Sequence, residues 1–490
     1  MDRVVRVTGG LVRGSSRAGV DAFLGIPFAA PAVGADRYRA PRPVLPWDGT
    51  RDATVAGPSA AQSPYLPPID AVLPSSVSPG DEYLNVNVWA PADADGLPVM
   101  VWIHGGAFVR GANSLSVYDG SAFARDGVVL VSVNYRLGAP GFAVLDGAPT
   151  NLGLRDQIAA LEWVRDNVAA FGGNPDDVTV FGESAGGMSV ATLMAAPTAR
   201  GLFQRAAVQS GGATAVCEQE DARRVSAQLA AHLGVSPTAE AFAGLDPDVV
   251  TQAQTAVGLA MQADPDPQRW GPTVLRSGLG IMSLFPVIDG DIVPDVPLAR
   301  IADGAASQVP LLIGTTREEF RLFLVPTGGA GTLTSDSLSA MAIRYGWPAR
   351  AIETYAANRS GSTPGDIACA VLTDAGFRLP ATQLATAQTA AGGSVYAYEL
   401  AWRTPVADLG ACHGLDLGFV FDSLGAGAPM AGETAPAELA TQMHDAWVRF
   451  AVDGTPGWRP WTPDDRAVMT FDTASHLAQA PRADELALWS

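Results

Sequence analysis

Hydrophobic and polar residues alternate through the first thirty positions of the chain, with glycine and proline turns between the alternating runs. This pattern predicts a small antiparallel meander. Residues 128–133 instead form a nearly continuous β-branched run, which is typical of a strand buried on both faces of a largely parallel sheet. Shorter apolar runs predict earlier strands at residues 86–89 and 99–103.

Apolar side chains recur at helical spacing between residues 154 and 170, and glycines at 172 and 173 end this pattern before a predicted strand at 178–181. Strand, helix and strand in close succession form a βαβ unit, so the central sheet should be mainly parallel. The later pattern predicts strands at residues 310–314 and 395–398 and a last amphipathic helix near 437–451.

These elements predict an α/β fold with a large, mostly parallel central sheet, helices on both faces and an N-terminal antiparallel meander. We expect one domain over residues 1–490, with a helical side region at about 216–305, where proline and glycine repeatedly break the helices. Residues 56–82, rich in Pro, Ser and Ala, predict a long surface loop that borders a site.

Composition excludes several classes of function. Hydrophobic residues are 48% and charged residues 17%, which indicates a globular protein. The net charge of −19 would repel a polyanion, so we expect no nucleic-acid partner. All 31 basic residues are arginine, which excludes a Schiff-base lysine, a Walker-A lysine and a Ser-Lys pair.

The three cysteines, Cys217, Cys369 and Cys412, are widely separated and suggest neither a disulfide framework nor a zinc site. The N-terminal residues show no apolar signal segment, and no apolar run approaches the length of a membrane span. We therefore expect a cytoplasmic protein without a membrane partner, metal or cofactor.

The strongest chemical signal is a G-x-S-x-G motif at residues 182–186, placed between a predicted strand and a predicted helix. This context is a nucleophile elbow, a tight turn that presents the hydroxyl of Ser184 above the sheet. The Gly-rich run His104-Gly105-Gly106-Ala107 follows another strand, and its backbone N–H groups suit an oxyanion. We predict an oxyanion hole formed by the N–H groups of Gly106, Ala107 and Ala185.

The order of catalytic residues expected in this fold is nucleophile, acid and histidine, so the base should lie beyond Ser184. His232 and His444 occupy helical patterns, and His476 adjoins no glycine turn, whereas His413 lies in a loop of small residues. We therefore choose His413, and expect His104 to pack beside the Gly-rich run.

For the acid, Glu318 and Glu319 follow the strand at 310–314 and are nearly tied on spacing alone. Asp289 and Asp291 compete but resemble a turn.

The chain resembles the type-B carboxylesterases, closest in style to bacterial para-nitrobenzyl-esterase-like members. The matching stretches run nearly end to end, at residues 23–29, 101–108, 134–138, 151–157, 171–175 and 181–187. The resemblance implies an α/β-hydrolase fold and a Ser-Glu-His triad of Ser184, Glu319 and His413, and so resolves the choice between the two glutamates. It also makes Ser210 a residue that supports the acid and the base, and we place Glu183, next to the nucleophile, in the same supporting set.

Several positions depart from the family pattern. Phe320 replaces the usual glycine after the acid, Asp416 stands where glutamate is common, and Tyr83 replaces a cysteine of the disulfide found in secreted members. Residues 60–80 contain no tryptophan, so nothing supports a site for quaternary ammonium groups. Apolar residues near the motifs suggest a pocket for an apolar acyl or alcohol group: Phe108, Met188, Phe320, Phe323 and Phe419.

We expect the protein to hydrolyse small to medium apolar carboxylic esters through an acyl-enzyme, as a monomer or small homo-oligomer. An amidase, a carbamate hydrolase or an acyltransferase would use the same triad, because pocket shape selects the leaving group and the acceptor. A non-catalytic binding protein on this fold is disfavoured, because family members of that kind lack the nucleophile.

Overall fold

The computed structural model of the protein describes residues 3–75 and 77–489. Its strands are β1 (Arg3–Val7), β2 (Gly10–Arg17), β3 (Val20–Pro27), β4 (Thr50–Asp52), β5 (Asn85–Pro91), β6 (Leu97–Ile103), β7 (Val129–Val133), β8 (Gly173–Glu183), β9 (Arg205–Gln209), β10 (Cys217–Glu218), β11 (Val287–Ile288), β12 (Leu311–Thr316), β13 (Val395–Leu400), β14 (Ala467–Phe471) and β15 (His476–Gln479).

The α-helices are α1 (Ser121–Arg125), α2 (Gly138–Phe142), α3 (Leu152–Asn167), α4 (Ala185–Ala195), α5 (Gln219–Leu233), α6 (Ala239–Ala243), α7 (Pro247–Ala263), α8 (Pro267–Trp270), α9 (Pro272–Ser277), α10 (Pro297–Ala302), α11 (Arg321–Leu324), α12 (Gly329–Thr332), α13 (Ser335–Arg344), α14 (Ala351–Ala357), α15 (Pro364–Thr373), α16 (Leu379–Ala390), α17 (Leu417–Val420), α18 (Leu424–Ala431), α19 (Ala437–Asp453) and α20 (Ala483–Leu486). A π-helical turn, Asp374–Arg378, joins α15 to α16. Short 3₁₀ turns lie at Gly34–Asp36, Ile69–Ala71, Ser116–Tyr118, Val168–Phe171, Pro197–Ala199 and Ala487–Trp489.

One large mixed sheet organises the described residues. Its strand order is β1-β2-β3-β5-β7-β6-β8-β9-β12-β13-β14-β15, with β4 beside β2. The strands from β7 to β14 in that order are parallel to one another, and antiparallel pairs lie at both ends. The predicted mostly parallel sheet with an antiparallel N-terminal meander is therefore confirmed.

Both faces of the central strands are buried, which explains their continuous apolar character. On β6, Val99, Val101 and Ile103 belong to one hydrophobic cluster, while Met100 and Trp102 belong to a second cluster. Successive side chains of a strand point to opposite faces, so the two clusters lie on the two sides of the sheet. Helices cover each face, as an α/β architecture requires.

Two predicted boundaries differ in detail. Helix α3 ends at Asn167, and a 3₁₀ turn carries the chain to Phe171 before Gly172 adopts a left-handed φ of 84°. Strand β8 begins at Gly173 rather than at Val178, because Gly173 pairs with Leu97 across an irregular register. Gly172 therefore ends the 3₁₀ turn, and Gly173 starts the strand.

A buried ion pair fastens the N-terminal region to the central sheet. The Arg136 guanidinium, just after β7, donates to both carboxylate oxygens of Asp156 on α3, at 2.6 and 2.8 Å. It also donates to the carbonyl oxygens of Arg37 and Arg39 at 3.1 and 2.5 Å. Both members of the pair are fully buried, so the bidentate geometry and the extra acceptors offset their loss of hydration.

Helices dominate residues 216–305, where α5 to α10 flank the short parallel pair of β10 and β11. The described residues of 56–75 and 77–82 are irregular apart from one 3₁₀ turn at Ile69–Ala71. Over the described ranges, no helix has both the length and the apolar composition that crossing a bilayer requires.

Candidate active site

The carboxyl ends of the parallel strands bring five polar segments to one edge of the sheet. Residues 104–108 follow β6, Ser184 follows β8, Ser210 follows β9, and Glu319 follows β12. His413 lies in the loop after β13. Parallel strands end at a common edge, which is where open α/β sheets build their sites.

Ser184 occupies a strained turn between β8 and α4. Its backbone has φ 55° and ψ −124°, a conformation that L-residues other than glycine rarely adopt. The turn is crowded, since a Cβ on Gly186 would lie 2.0 Å from the carbonyl oxygen of Ile103. Ser184 is partly exposed, and its hydroxyl has no hydrogen-bond partner among the described residues.

Glu319 and His413 form a buried pair. His413 Nδ1 lies 2.5 Å from Glu319 Oε2, so the ring donates its proton there to the carboxylate. The other oxygen, Oε1, accepts from the Ser210 hydroxyl and from the backbone N–H of Thr316, both at 2.7 Å. Glu319 is fully buried. These three donors fix the orientation of the Glu319 carboxylate, and the carboxylate in turn fixes the orientation of the His413 ring.

Glu318, the glutamate next to Glu319 in the chain, binds the loop that contains His413. Its carboxylate accepts from the backbone N–H of Ala411 at 3.0 Å and pairs with Arg403 at 3.1 Å. Its own N–H donates to the carbonyl oxygen of Ala411 at 2.8 Å. The two adjacent glutamates therefore have separate tasks, because Glu318 contacts the loop backbone and Glu319 contacts the ring of His413.

The second ring nitrogen of His413 faces another carboxylate. His413 Nε2 lies 3.1 Å from Glu183 Oε1, and Glu183 immediately precedes Ser184. Burial lowers the pKa of His413, but Glu183 and Glu319 outweigh it and raise that pKa to about 9. Burial also raises the pKa of Glu183 to about 8, partly opposed by the charge of His413. His413 and Glu183 therefore each favour the charged form of the other.

Backbone donors face the same region from residues 104–108. A Cβ on Gly105 would lie 3.0 Å from the Cβ of Ser184, so this backbone passes directly beside the serine. Within the described chain, the N–H groups of Gly106 and Ala107 donate to no protein acceptor. Ala185 is the first residue of α4, where N–H groups have no intrahelical acceptor. These unpaired donors suit a negatively charged oxygen.

The other histidines lie away from Glu319. His104 is buried against Tyr135, with ring centroids 4.6 Å apart, and burial lowers its pKa to about 4. His444 is buried on α19 and contacts the Val420 carbonyl oxygen. His232 and His476 are exposed. Of the five histidines, all described, His413 is the one that contacts Glu319.

Aromatic rings surround His413. The ring centroids of Phe323 and Phe377 lie 5.3 and 4.8 Å from the imidazole, and Phe320 packs on both phenylalanines. Sequence reasoning missed Phe377, since it lies on the π-helical turn and no local motif marks it. π-Turns within helices often occur at functional sites.

Two of the predicted pocket residues have no accessible surface. Phe108 packs edge-on against Phe142, and Phe419 packs against Trp402. Met188 is almost fully buried on α4. Phe108 and Met188 belong to one hydrophobic cluster and Phe419 to the other, whereas Phe323 is partly exposed beside His413.

Two departures from the family pattern are accommodated by hydrogen bonds. Asp416 accepts from Gln209 at 2.9 Å and from Tyr398 at 3.0 Å, below the site. The hydroxyl of Tyr83 donates to the Ala32 carbonyl oxygen at 2.6 Å. The three cysteines are free thiols.

Comparison with known proteins agrees with this geometry. A family model described as the carboxylesterase family matches residues 1–489. The chain is 37% identical to a para-nitrobenzyl esterase of Bacillus subtilis, over 99% of this chain and 97% of that protein. It is 33% identical to a phenmedipham hydrolase of Pseudarthrobacter oxydans, over 97% and 96% of the two chains.

Solved structures agree as well. Carboxylesterase EST55 of Geobacillus stearothermophilus superposes with a TM-score of 0.87 at 34% identity, covering 99% of this chain and all of that one. A structure of a para-nitrobenzyl esterase gives a TM-score of 0.83 at 33% identity over the full length of both chains. The chain therefore belongs to the carboxylesterase family, with the α/β-hydrolase fold, and is a serine hydrolase of small-molecule carboxylic esters.

Proposed function

We propose that Ser184 is the nucleophile of this esterase, with His413 as its general base and Glu319 as the residue that orients the base. The observation that carries the proposal is the 2.5 Å contact between Glu319 Oε2 and His413 Nδ1 at the edge of the sheet where Ser184 occupies its strained turn. Holding Nδ1 protonated leaves Nε2 free to accept the proton of the serine hydroxyl.

Acylation begins when Ser184 Oγ attacks the ester carbonyl carbon and its proton passes to His413 Nε2. The carbonyl oxygen becomes an oxyanion, which we assign to the N–H groups of Gly106, Ala107 and Ala185. One such donor contributes about 3–4 kcal/mol to the transition state. His413 then protonates the leaving alcohol, and a water molecule repeats the sequence on the acyl-enzyme to release the acid.

For this step His413 Nε2 must bind Ser184 rather than Glu183, which it contacts at 3.1 Å. Ser184 and Glu183, which compete for His413 Nε2, are adjacent in the chain. Catalytic hydrogen bonds commonly tighten only in the complex with substrate, so this resting arrangement fits the proposal. Glu183 then acts by stabilising the imidazolium, and Ser210 by fixing Glu319.

The substrates we propose are small to medium esters with an apolar acyl or alcohol group. The rings of Phe320, Phe323 and Phe377 next to His413 support an apolar environment for the group that reacts there. We place Phe108, Met188 and Phe419 behind this surface, where they support it.

Kinetics with para-nitrophenyl butanoate test the assignment. We expect S184A and H413A to lose at least about 10³-fold in kcat, because each removes a group that acts only as part of the triad. E319Q should also lose activity strongly, while E318Q, its neighbour in the chain, should lose less. Full activity of S184A would exclude Ser184 as the nucleophile.

We also propose that the chain works as one catalytic unit in the cytoplasm, with residues 216–305 as a helical side region, and as a monomer or small homo-oligomer. The free buried cysteines are consistent with a reducing compartment. Cell fractionation and light scattering of the purified enzyme test these two points.

A further inference from the structure

A second cavity lies behind the active site, between the sheet and helices α16 and α20. It is a cleft lined by residues of β12, β13, α16 and the segment 480–486, and its empty volume of about 550 Å³ includes space that opens to solvent. Ser184, Glu319 and His413 are not among its described lining residues.

Three arginines line this cavity: Arg378, Arg466 and Arg482. The Nε atom of each one is buried and has no hydrogen-bond acceptor in the described chain. Arg378 is more than nine-tenths buried. No carboxylate of the described residues pairs with Arg466. Buried N–H groups without an acceptor are costly, so these donors call for an acceptor that enters the cavity.

The carboxylates near the cavity do not balance its positive charge. Glu399 is shared by Arg317, Arg378 and Arg482, and Arg378 also pairs with Asp374. The guanidinium groups of Arg317, Arg378 and Arg482 thus share two carboxylates, and Arg466 pairs with none among the described residues. Burial, together with the charge of the neighbouring Arg482, lowers the pKa of Arg378 to about 10.

Much of the remaining wall is apolar, and Thr315, Thr382 and Glu399 are polar residues that also line the cavity. Ala381 and Ala385 face the cavity from α16, Ala397 from β13, and Trp461 and Leu486 from the C-terminal part of the chain. A small inorganic anion would satisfy the arginines but leave this surface unused. A carboxylate with an apolar chain matches both parts, since guanidinium binds carboxylate through two parallel hydrogen bonds.

We propose that this cavity is a second, non-catalytic binding site for a carboxylate that carries an apolar chain. The carboxylate binds Arg466 and Arg482, and the chain packs against the alanines of α16 and the ring of Trp461. The ligand belongs to the chemical class of the acid that ester hydrolysis releases. Arg378 follows Phe377, whose ring packs on His413, so the site adjoins the catalytic histidine.

Equilibrium dialysis with radiolabelled octanoate tests the proposal. R466Q removes a guanidinium that has no carboxylate partner, so its loss breaks no ion pair, and T382F fills space at the partly exposed side of the cavity. R17Q is the matched control, because Arg17 is exposed on β2, which contributes no residue to the cavity. Thermal melting establishes that each variant is folded.

We expect wild type and R17Q to bind one more equivalent of octanoate than R466Q and T382F, whose affinity at this site should fall at least about tenfold. The catalytic site is present in all four proteins, so the difference reports the second site alone. Equal stoichiometry in all folded variants would overturn the proposal. Displacement of octanoate by inorganic phosphate at equal concentration would also overturn it, because it would show a simple anion site.

Discussion

At the scale of single residues, His413 is held between two carboxylates. Glu319 contacts Nδ1 and Glu183 contacts Nε2. The resemblance to the type-B carboxylesterases predicted the contact between Glu319 and His413. An acidic pair after a strand and a histidine in a loop are local patterns that can be recognised in the sequence. The sequence did not predict that Glu183 faces Nε2, since that contact depends on how two loops approach each other in space.

The raised pKa of His413 leads to a pH prediction. A general base must be neutral, so kcat/KM should rise with pH and level off above about 9. E183Q removes one of the two carboxylates that flank His413, so the pKa of His413 should fall. The midpoint of the rise in kcat/KM should therefore move down by about one pH unit or more. Rate profiles from pH 5 to pH 10 measure this shift.

Glu438 provides the control, because it is exposed on α19 and E438Q removes the same charge elsewhere. The E438Q midpoint should match that of wild type. An E183Q profile that also coincides with wild type would show that Glu183 does not set the pKa of the base.

At the scale of elements, the parallel strands were the easiest part to predict. On β6 and β7 every residue from Val99 to Ile103 and from Val129 to Val133 is buried, so the apolar run appears directly in the sequence. The π-helical turn at Asp374–Arg378 was not predicted. It has the composition of a helix and differs only in hydrogen-bond register, yet it orients Phe377 towards the site and Arg378 towards the second cavity.

The ion pair between Arg136 and Asp156 should be essential to how α3 packs. D156N leaves the guanidinium buried without a countercharge, so we expect a loss of about 3–5 kcal/mol in the free energy of unfolding. Asp166 lies on the same helix, is exposed and pairs with Arg165. D166N should therefore lower the free energy of unfolding by less than about 1 kcal/mol. Urea denaturation of the three proteins gives both values, and equal stabilities would show that the buried pair contributes nothing.

In the whole molecule, the aromatic surroundings of His413 combine parts of the chain that are distant in sequence. Phe323 follows β12, Phe377 lies between α15 and α16, and His413 follows β13. The sequence did not distinguish Phe323 from Phe108 and Phe419 as pocket residues, because all three are phenylalanines close to the sequence motifs of the predicted site. Burial in the folded chain makes the distinction, since Phe108 and Phe419 are enclosed by other side chains.

Phe323 should therefore limit the size of the group that reacts. In F323A the space beside His413 grows, and we expect the kcat/KM ratio of para-nitrophenyl octanoate to acetate to rise by about 3- to 10-fold. F323L keeps most of the volume and should change the ratio little. An unchanged ratio in F323A would place the acyl and alcohol groups elsewhere.

Mass spectrometry can show whether Ser184 forms the acyl-enzyme, as we propose. Wild type treated with diethyl para-nitrophenyl phosphate should gain one diethylphosphoryl group and lose its esterase activity in parallel. Peptide mapping should locate that group on Ser184, and S184A should remain unmodified. Stoichiometric modification of another residue, or full inactivation with Ser184 untouched, would contradict the account.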